Sequence, residues 1–222
     1  MPQITTNQVG VVVIGRNEGA RLQRCLASVQ KHLPAVIYVD SGSTDGSQAL
    51  ASSLGFQPLE LDPARPFSAA RARNEGFHKL TSEYSQIEYI QFLDADCELD
   101  EHWTNRGIDA LAADAGLAIA CGCLRELAPD SSIYARLCDM EWDASPGLAD
   151  YCGGIFMIRS AAFRSVNGFN ESMIAGEDPE LCVRLRLKGW KIERVAEPMA
   201  VHDGAMTHLQ EWWKRAVRSG HA

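Results

Sequence analysis

The sequence lacks the features that mark membrane-spanning and secreted proteins. No run of apolar residues approaches the ~18 to 20 that a membrane-spanning helix needs. The first seven residues, MPQITTN, have neither the basic segment nor the apolar core of a signal peptide. The seven cysteines include no CxxC pair, and the CxC at 121–123 alone makes no zinc site. We therefore expect buried free thiols and a cytoplasmic chain.

Positive charge is also scarce. The 222 residues include 21 Lys and Arg against 29 Asp and Glu, which gives a formal net charge of −8. Because a nucleic-acid backbone needs a positive protein surface, we expect no nucleic-acid partner. Hydrophobic residues make up 46% of the chain and charged residues 23%, which excludes a disordered chain. With no internal repeat or linker, a single domain over 1–222 is expected.

Two common phosphate-binding loops are missing. No GxGxxG follows the first predicted strand, and no GxxxxGK[ST] occurs, which argues against a dinucleotide-binding Rossmann site and a P-loop. A phosphorylated ligand would then be held by a metal ion and basic side chains. Arg71 and Arg73 are the nearest basic candidates. For each of them, a solvated position on the helix surface is an equally weighted alternative.

Strands and helices alternate along the chain. Short apolar or β-branched runs predict strands, and apolar residues at helical spacing predict helices between them. The predicted strands span 11–14, 36–39, 56–61, 87–93, 117–123, 152–158 and 190–195. The predicted helices span 18–31, 47–54, 67–80, 101–113, 131–143, 160–166, 178–188 and 209–218. This alternation predicts an α/β fold with a largely parallel sheet, which binds ligands beyond the carboxyl ends of its strands.

Polar clusters follow three of the predicted strands, with GRNE at 15–18, DSGSTD at 40–45 and DAD at 94–96. Asp94 and Asp96 give the sharpest signal. A divalent cation relieves the repulsion between two neighbouring carboxylates, and Mg²⁺ or Mn²⁺ held in this way completes its shell with water and substrate phosphates. Most isolated DxD pairs are solvated turns, but the buried strand before this pair favours a metal-bound diphosphate.

Later in the chain, Glu177 and Asp178 precede Pro179 at the start of a predicted helix. Asp178 is therefore either the capping residue of that helix or a general base. His202 ends a short apolar stretch. A lone histidine is usually structural unless a metal lies nearby.

The order of these motifs resembles that of the family 2 glycosyltransferases of the GT-A fold. The resemblance spans residues 9–215. Its motifs are VVVIGRNE at 11–18, VDSGSTDG at 39–46, ARNEG at 72–76, FLDAD at 92–96, GGIFMIR at 153–159, GFNE at 168–171, GEDPEL at 176–181 and HD at 202–203. It implies a Rossmann-like GT-A domain with a mixed, mostly parallel sheet flanked by helices. A nucleotide-binding half is expected at 1–123 and an acceptor-side half at 124–222.

The resemblance also implies a role for each matched residue. Those that would contact the nucleoside of a nucleotide-sugar donor, commonly UDP, are Asn17, Glu18 and Asp40, in a pocket shaped by Ser43 and Asp45. Those that would lie near the base or diphosphate are Arg71, Arg73 and Asn74. Asp94 and Asp96 would face the ribose and the metal, with His202 as a further metal ligand. Asp178 would be the catalytic base, with Glu177 beside it.

The implied reaction is an inverting, metal-assisted transfer of one sugar to a hydroxyl of a glycan, lipid or protein acceptor. Processive members carry a QxxRW motif, and the closest segment here, QEWW at 210–213, lacks the Arg-Trp pair. Two alternatives remain open. One is a catalytically silent sugar-nucleotide-binding protein. The other is a sugar nucleotidyltransferase of related fold, although the Gly-rich, Arg-containing first loop of that class is absent.

The final predicted helix is basic, with Lys214, Arg215 and Arg218. It is expected either to contact the inner face of a membrane or to present a solvated face. Trp212 and Trp213 on this helix are expected in the core, with acceptor stacking as the alternative. Similar proteins often continue past this point, sometimes into membrane segments, so a truncated catalytic domain is a further interpretation.

Overall fold

The computed structural model describes residues 5–31 and 33–220. Within this part, nine β-strands and eight α-helices alternate along the chain. The strands are β1 Val9–Gly15, β2 Ala35–Asp40, β3 Leu59–Glu60, β4 Tyr89–Asp94, β5 Cys97–Leu99, β6 Leu117–Glu126, β7 Gly147–Leu148, β8 Phe156–Arg159 and β9 Lys191–His202. The helices are α1 Ala20–Gln30, α2 Ser47–Ser53, α3 Ala69–Glu83, α4 Trp103–Ala113, α5 Ile133–Glu141, α6 Ser160–Ser165, α7 Glu177–Leu187 and α8 Leu209–Ser219.

All nine strands in the described residues belong to one sheet, in the order β3-β2-β1-β4-β8-β6-β9-β5, with β7 paired to β9. The first four strands in this order run parallel. Strand β8 is antiparallel to both β4 and β6, and β6 is parallel to β9. The predicted mixed α/β sheet flanked by helices is therefore confirmed. Its parallel pairing is concentrated among β1 to β4.

The central strands are buried on both faces, as their continuous apolar sequences predict. Val9, Val11, Val12 and Val13 of β1 are fully buried. Helix α3 packs closely on this strand because Gly76 has no side chain. A Cβ at Gly76 would lie 2.4 Å from Val12 Cγ1, so this position allows the helix and the sheet to approach.

Three strand predictions differ from the structure. The strand predicted at 190–195 extends to His202, because β9 continues through a register shift at Pro198 that interrupts its apolar pattern. The strand predicted at 152–158 begins only at Phe156. Of the run predicted at 56–61, only β3 pairs in the sheet. The two short strands β5 and β7 were not predicted.

The predictions for the cysteines agree with the structure, whereas those for the two tryptophans of α8 agree only in part. All seven cysteines, each within the described residues, are free thiols, and six of them are buried. No described helix combines the length and the apolar character needed to cross a bilayer. On α8, Trp212 packs beside Tyr134, but Trp213 is 62% exposed, so the expected core packing fails for Trp213. The Arg218 side chain lies outside the described part.

Candidate active site

The polar loops that follow β1, β2 and β4 meet at one edge of the sheet. Gly15 at the end of β1 pairs with Asp40 at the end of β2, and Ile14 pairs with Asp94 at the end of β4. Three neighbouring parallel strands therefore end at one level, and the loops beyond them share one space. The three polar clusters therefore lie close together.

Asp40 is fully buried and organises the loop after β2. Its Oδ1 accepts hydrogen bonds from Gly42 N at 3.0 Å, Ser43 N at 2.8 Å and Gln48 Nε2 at 2.9 Å. Its Oδ2 accepts from the hydroxyls of Tyr38 at 2.8 Å and Ser43 at 2.6 Å. Burial alone would raise the pKa of Asp40, but these hydrogen bonds outweigh it and lower the pKa. Five donors occupy this carboxylate, so it has little capacity left for a nucleobase.

The loops after β1 and β2 are tied to each other through Asn17 and Ser43. The Asn17 backbone N–H donates to Ser43 Oγ at 2.9 Å, and Thr44 N–H donates to Asn17 Oδ1 at 2.7 Å. Asn17 has a φ of 60°, a conformation that asparagine tolerates better than most residues. Asp45 accepts from both the backbone N–H and the hydroxyl of Ser47, at the start of α2. These residues shape the loop by holding its backbone.

One feature of this corner was not identified from the sequence. The guanidinium of Arg16 lies over the ring of Phe67, 5.4 Å from its centroid. The stacked pair lies beside the loop that Asp40 organises, because the Phe67 ring also packs on Gly42. Arg16 belongs to the GRNE cluster, but no motif includes Phe67, which comes from a different part of the chain.

Two of the residues on α3 that are predicted to lie near the donor make hydrogen bonds to the backbone of neighbouring segments. Arg71 is buried, and its Nη1 donates to the backbone carbonyls of Asp62 and Arg65, each at 3.0 Å, and of Pro66 at 3.3 Å. The Asn74 amide donates to Phe169 O at 2.9 Å and accepts from Phe169 N–H at 2.9 Å. Both side chains are therefore engaged by the protein's own backbone.

Arg73 joins two carboxylates across the site. Its buried guanidinium pairs with Asp94 Oδ1 at 2.8 Å and with Glu177 Oε1 at 2.7 Å. Gly154 makes room for this arrangement, because a Cβ there would lie 2.3 Å from Arg73 Nη2. The strand end at Asp94 and the helix start at Glu177 are thus brought together by one cation.

Asp178 lies beside this ion pair in the first turn of α7. Burial raises the pKa of Asp178 to about 6, and the charges of Glu177 and Asp94 add to that effect against the opposing charge of Arg73. Asp178 and Asp94 both line one cavity of about 580 Å³. The wall of this cavity also includes Trp142, Leu148 and Tyr151. A carboxylate with a pKa near neutrality, facing a cavity, is suited to accept a proton.

A second cluster contains the groups that suit a metal ion. One donor atom each from Asp96, Cys97 and His202 lies within 4.8 Å of the others, and His202 Nε2 is 3.4 Å from Asp96 Oδ2. The pairing of β5 with β9 sets Cys97 opposite His202. Carboxylate oxygen and imidazole nitrogen are common ligands of divalent metals, so the residues present fit such an ion. Cys97 was not predicted.

The charges around this cluster are mutually dependent. Burial opposes protonation of His202, but its hydrogen bonds to Asp96 and Glu126 raise its pKa to about 10. Burial would raise the pKa of Asp96, and the hydrogen bond and charge of His202 lower it. Glu18 pairs with Arg21 at 2.7 Å, and burial and then the charge of Asp96 raise the pKa of Glu18.

Comparison with known proteins agrees with this geometry. The sequence model of Glycosyl transferase family 2 matches residues 10–166, and that of the N-terminal domain of galactosyltransferase matches residues 139–210. The first match covers well over half of the chain. This protein belongs to glycosyl transferase family 2.

Curated relatives of this family 2 chain include two named glycosyltransferases. The pre-mycofactocin glycosyltransferase of Mycobacterium tuberculosis is 26% identical over 96% of this chain and 46% of its own length. The glycosyltransferase AglE of Haloferax volcanii is 25% identical over 87% of this chain and 66% of its own length. The chain thus spans less than two thirds of the length of these relatives.

Solved structures support the same fold for this family 2 domain. A crystal structure of S. aureus TarS superposes with a TM-score of 0.66 at 14% identity, covering 88% of this chain and 36% of TarS. A second TarS structure, in complex with UDP-GlcNAc, gives a TM-score of 0.65 at 13% identity, covering 88% of this chain and 58% of that one. The predicted family and GT-A fold are both confirmed.

Proposed function

We propose that this domain transfers one sugar from a nucleoside-diphosphate sugar to an acceptor hydroxyl, with inversion at the anomeric carbon and Asp178 as the general base. The observation that carries the proposal is the cavity that Asp94 and Asp178 share. It supports a donor diphosphate near β4 and an acceptor near α7. The TarS complex supports UDP-sugars as the first donors to test.

In the proposed step, the acceptor oxygen attacks the anomeric carbon as the bond from that carbon to the diphosphate oxygen breaks. The proton of the acceptor hydroxyl passes to Asp178, and the nucleoside diphosphate departs. Glu177 accepts a hydrogen bond from Arg73 at 2.7 Å, so we give Glu177 the role of holding Arg73. Arg73 in turn holds Asp94 at the same cavity.

Asp96 and His202 would hold a divalent cation, with Cys97 at the edge of the same cluster. When bound, the cation supplies positive charge that stabilises the departing diphosphate. A mixed oxygen and nitrogen donor set suits Mn²⁺ better than Mg²⁺, which prefers oxygen ligands. We therefore propose Mn²⁺ as the favoured ion.

The acceptor would enter along the wall formed by Trp142, Leu148 and Tyr151. Leu148 is 75% exposed and Tyr151 is 63% exposed, so this wall offers apolar surface at its opening. That surface supports an acceptor that presents an apolar face next to its reacting hydroxyl.

The exposed residues Leu209, Trp213 and Val217 of α8 support approach to a membrane surface, and the free thiols support a cytoplasmic location.

The test of the base is Asp178→Asn, which keeps the size of the side chain and removes its basicity. We expect turnover to fall by a factor of roughly 10² to 10⁴, with donor binding unchanged. UDP-, GDP- and dTDP-sugars with Mn²⁺ are first screened by thermal shift. Release of nucleoside diphosphate from the bound donor is then measured, and NMR gives the anomeric configuration of the product.

Glu180→Gln is the matched control, because Glu180 lies in the same helical turn but pairs with Arg184. It should retain wild-type turnover. Near wild-type turnover by Asp178→Asn would refute the base assignment. Donor binding without turnover in the wild-type protein would favour the catalytically silent sugar-nucleotide-binding protein.

A further inference from the structure

Glu126 is a buried carboxylate at the cation cluster that no sequence motif includes. It ends strand β6 directly opposite His202, the last residue of β9. Its Oε1 lies 2.6 Å from His202 Nδ1, and the Glu126 side chain is only 4% exposed. The register of two neighbouring strands therefore sets a carboxylate against the ring nitrogen that faces away from Asp96.

Other contacts hold Glu126 in this position. Trp142 Nε1 donates to the same Oε1 at 3.1 Å, and the Gly204 N–H donates to Oε2 at 3.3 Å. Space around the pair is tight, because a Cβ at Gly204 would lie 2.9 Å from His202 Cε1 and 3.2 Å from Glu126 Oε2. The ring of Trp142 packs edge-on against His202, with 5.8 Å between centroids. The carboxylate and the imidazole thus have little freedom to rotate.

From this geometry we infer that Glu126 is the positioning residue of the cation site, fixing the His202 ring so that Nε2 is the atom offered to the metal beside Asp96. This inference rests on the cation site of the proposed function. A carboxylate that accepts from the second nitrogen of a ligating histidine fixes its tautomer and orientation and makes it a stronger ligand. Glu126 touches neither the substrate nor the ion in this scheme and acts only through His202.

A purely structural role is the competing explanation, since Glu126 also links β6 to Trp142. Asp139 provides the comparison. It accepts from Arg125 Nε at 2.7 Å and from the Glu126 backbone N–H at 2.9 Å, so it joins α5 to β6. Its hydrogen bonds do not include His202. Loss of Asp139 should therefore reproduce a structural defect at this place while leaving the metal ligands intact.

The experiment is a Mn²⁺ titration followed by electron paramagnetic resonance, in the presence of UDP, on the wild type, Glu126→Gln and Asp139→Asn. We expect Glu126→Gln to raise the Kd for Mn²⁺ by roughly 10- to 100-fold, the usual effect of losing such a partner. Asp139→Asn should leave this Kd unchanged. In a His202→Ala background, Glu126→Gln should have no further effect on the Kd.

Equal Mn²⁺ affinity in the wild type and Glu126→Gln would overturn the positioning role while the cation site stands. An equal loss of affinity in Asp139→Asn would also overturn it, in favour of a structural role. If the wild type binds no Mn²⁺ with UDP present, the cation site of the proposed function is itself refuted, and this inference falls with it.

A second measurement does not use Glu126→Gln, in case that variant does not fold. Protein labelled with ¹⁵N at histidine is titrated with Cd²⁺, a diamagnetic ion, and the His202 signals are identified by their loss in His202→Ala. We expect Nε2 to shift on metal binding and Nδ1 to keep its proton. Metal binding at Nδ1, or no change at His202, would overturn the inference.

Discussion

Asp40 and Asp178 lie at the same edge of the sheet, and their surroundings move their pKa values in opposite directions. Hydrogen bonds to Asp40 lower its pKa despite its burial. Burial raises the pKa of Asp178 to about 6. Asp40 therefore stays charged and keeps its loop folded, whereas Asp178 exchanges a proton near neutral pH. The same residue type serves two purposes because its hydrogen-bond partners differ.

The rate of sugar transfer should depend on pH through Asp178. A general base acts in its deprotonated form, so kcat/KM should rise with pH through about 6 and level off above it. Initial rates measured at several pH values around 6 test this dependence, and the stability of the protein is checked at each pH. Arg73→Gln removes a charge that lowers this pKa, so it should move the rise to higher pH. A rise that does not move would argue that another group is titrating.

Single residues in motifs were easier to predict than their partners. Asp94, Asp96, Asp178 and His202 could be chosen as candidates because their residue types stand at strand ends or at a helix start, and their roles stay predictions. Glu126 could not be identified from the sequence, because its contact with His202 depends on the register of β6 with β9. That register passes through several shifts, which no local pattern reveals.

Helix α3 illustrates how one element can organise several loops at once. Its N-terminus is capped by Ser68 Oγ, which accepts from Arg71 N–H at 3.1 Å. On its buried face, Arg71 holds the loop before the helix, Arg73 reaches the two carboxylates and Asn74 reaches Phe169. The sequence identified these three polar residues, but Arg73 and Asn74 make contacts with segments about 100 residues further along the chain.

Replacing Asn74 tests whether its contribution lies in stability. Asn74→Ala would leave the buried N–H and C=O of Phe169 without a partner, which costs about 1 to 3 kcal/mol for each group. We expect a lower midpoint of urea unfolding, with the affinity for UDP largely retained. Asn105→Ala on the exposed face of α4 is the control and should change neither quantity. A loss of UDP affinity without a loss of stability would favour the donor-binding role instead.

At the scale of elements, the first half of the sheet was easier to predict than the second. Strands β1, β2 and β4 are mostly apolar runs buried on both faces, with Gln91 as the polar residue inside β4. Strand β9 mixes charged residues with Pro198, and its burial alternates irregularly along its length. Strands β5 and β7 have three and two residues, too few for a periodic pattern to form.

For the molecule as a whole, one sheet passes through both of the halves expected from the sequence. Strand β4 of the first half pairs with β8 of the second, and Phe92 packs on Phe156 across this junction with 5.5 Å between ring centroids. Each half would therefore expose a long sheet edge if it folded alone. Within the described residues the two halves thus share one sheet, and a single domain over 1–222 stays a prediction.

We expect a single cooperative unfolding transition in calorimetry, with calorimetric and van't Hoff enthalpies in a ratio of about 1. Phe156→Ala should destabilise that whole transition by about 3 to 5 kcal/mol, because it removes a buried ring at the junction. Two resolved transitions, or a variant in which only part of the heat absorption moves, would indicate that the halves unfold separately.

The stretch from 127 to 155 connects β6 to β8, which are neighbours in the sheet, and within it only the two-residue strand β7 pairs with the sheet, at β9. It supplies Trp142, Leu148 and Tyr151 to the cavity, whereas Asp94 and Asp178 come from outside it. Because both of its ends lie on adjacent strands, this stretch can be replaced as one unit without changing the order of the strands. Exchange of this stretch between homologues would therefore change which acceptor the cavity admits, while Asp94 and Asp178 stay where they are.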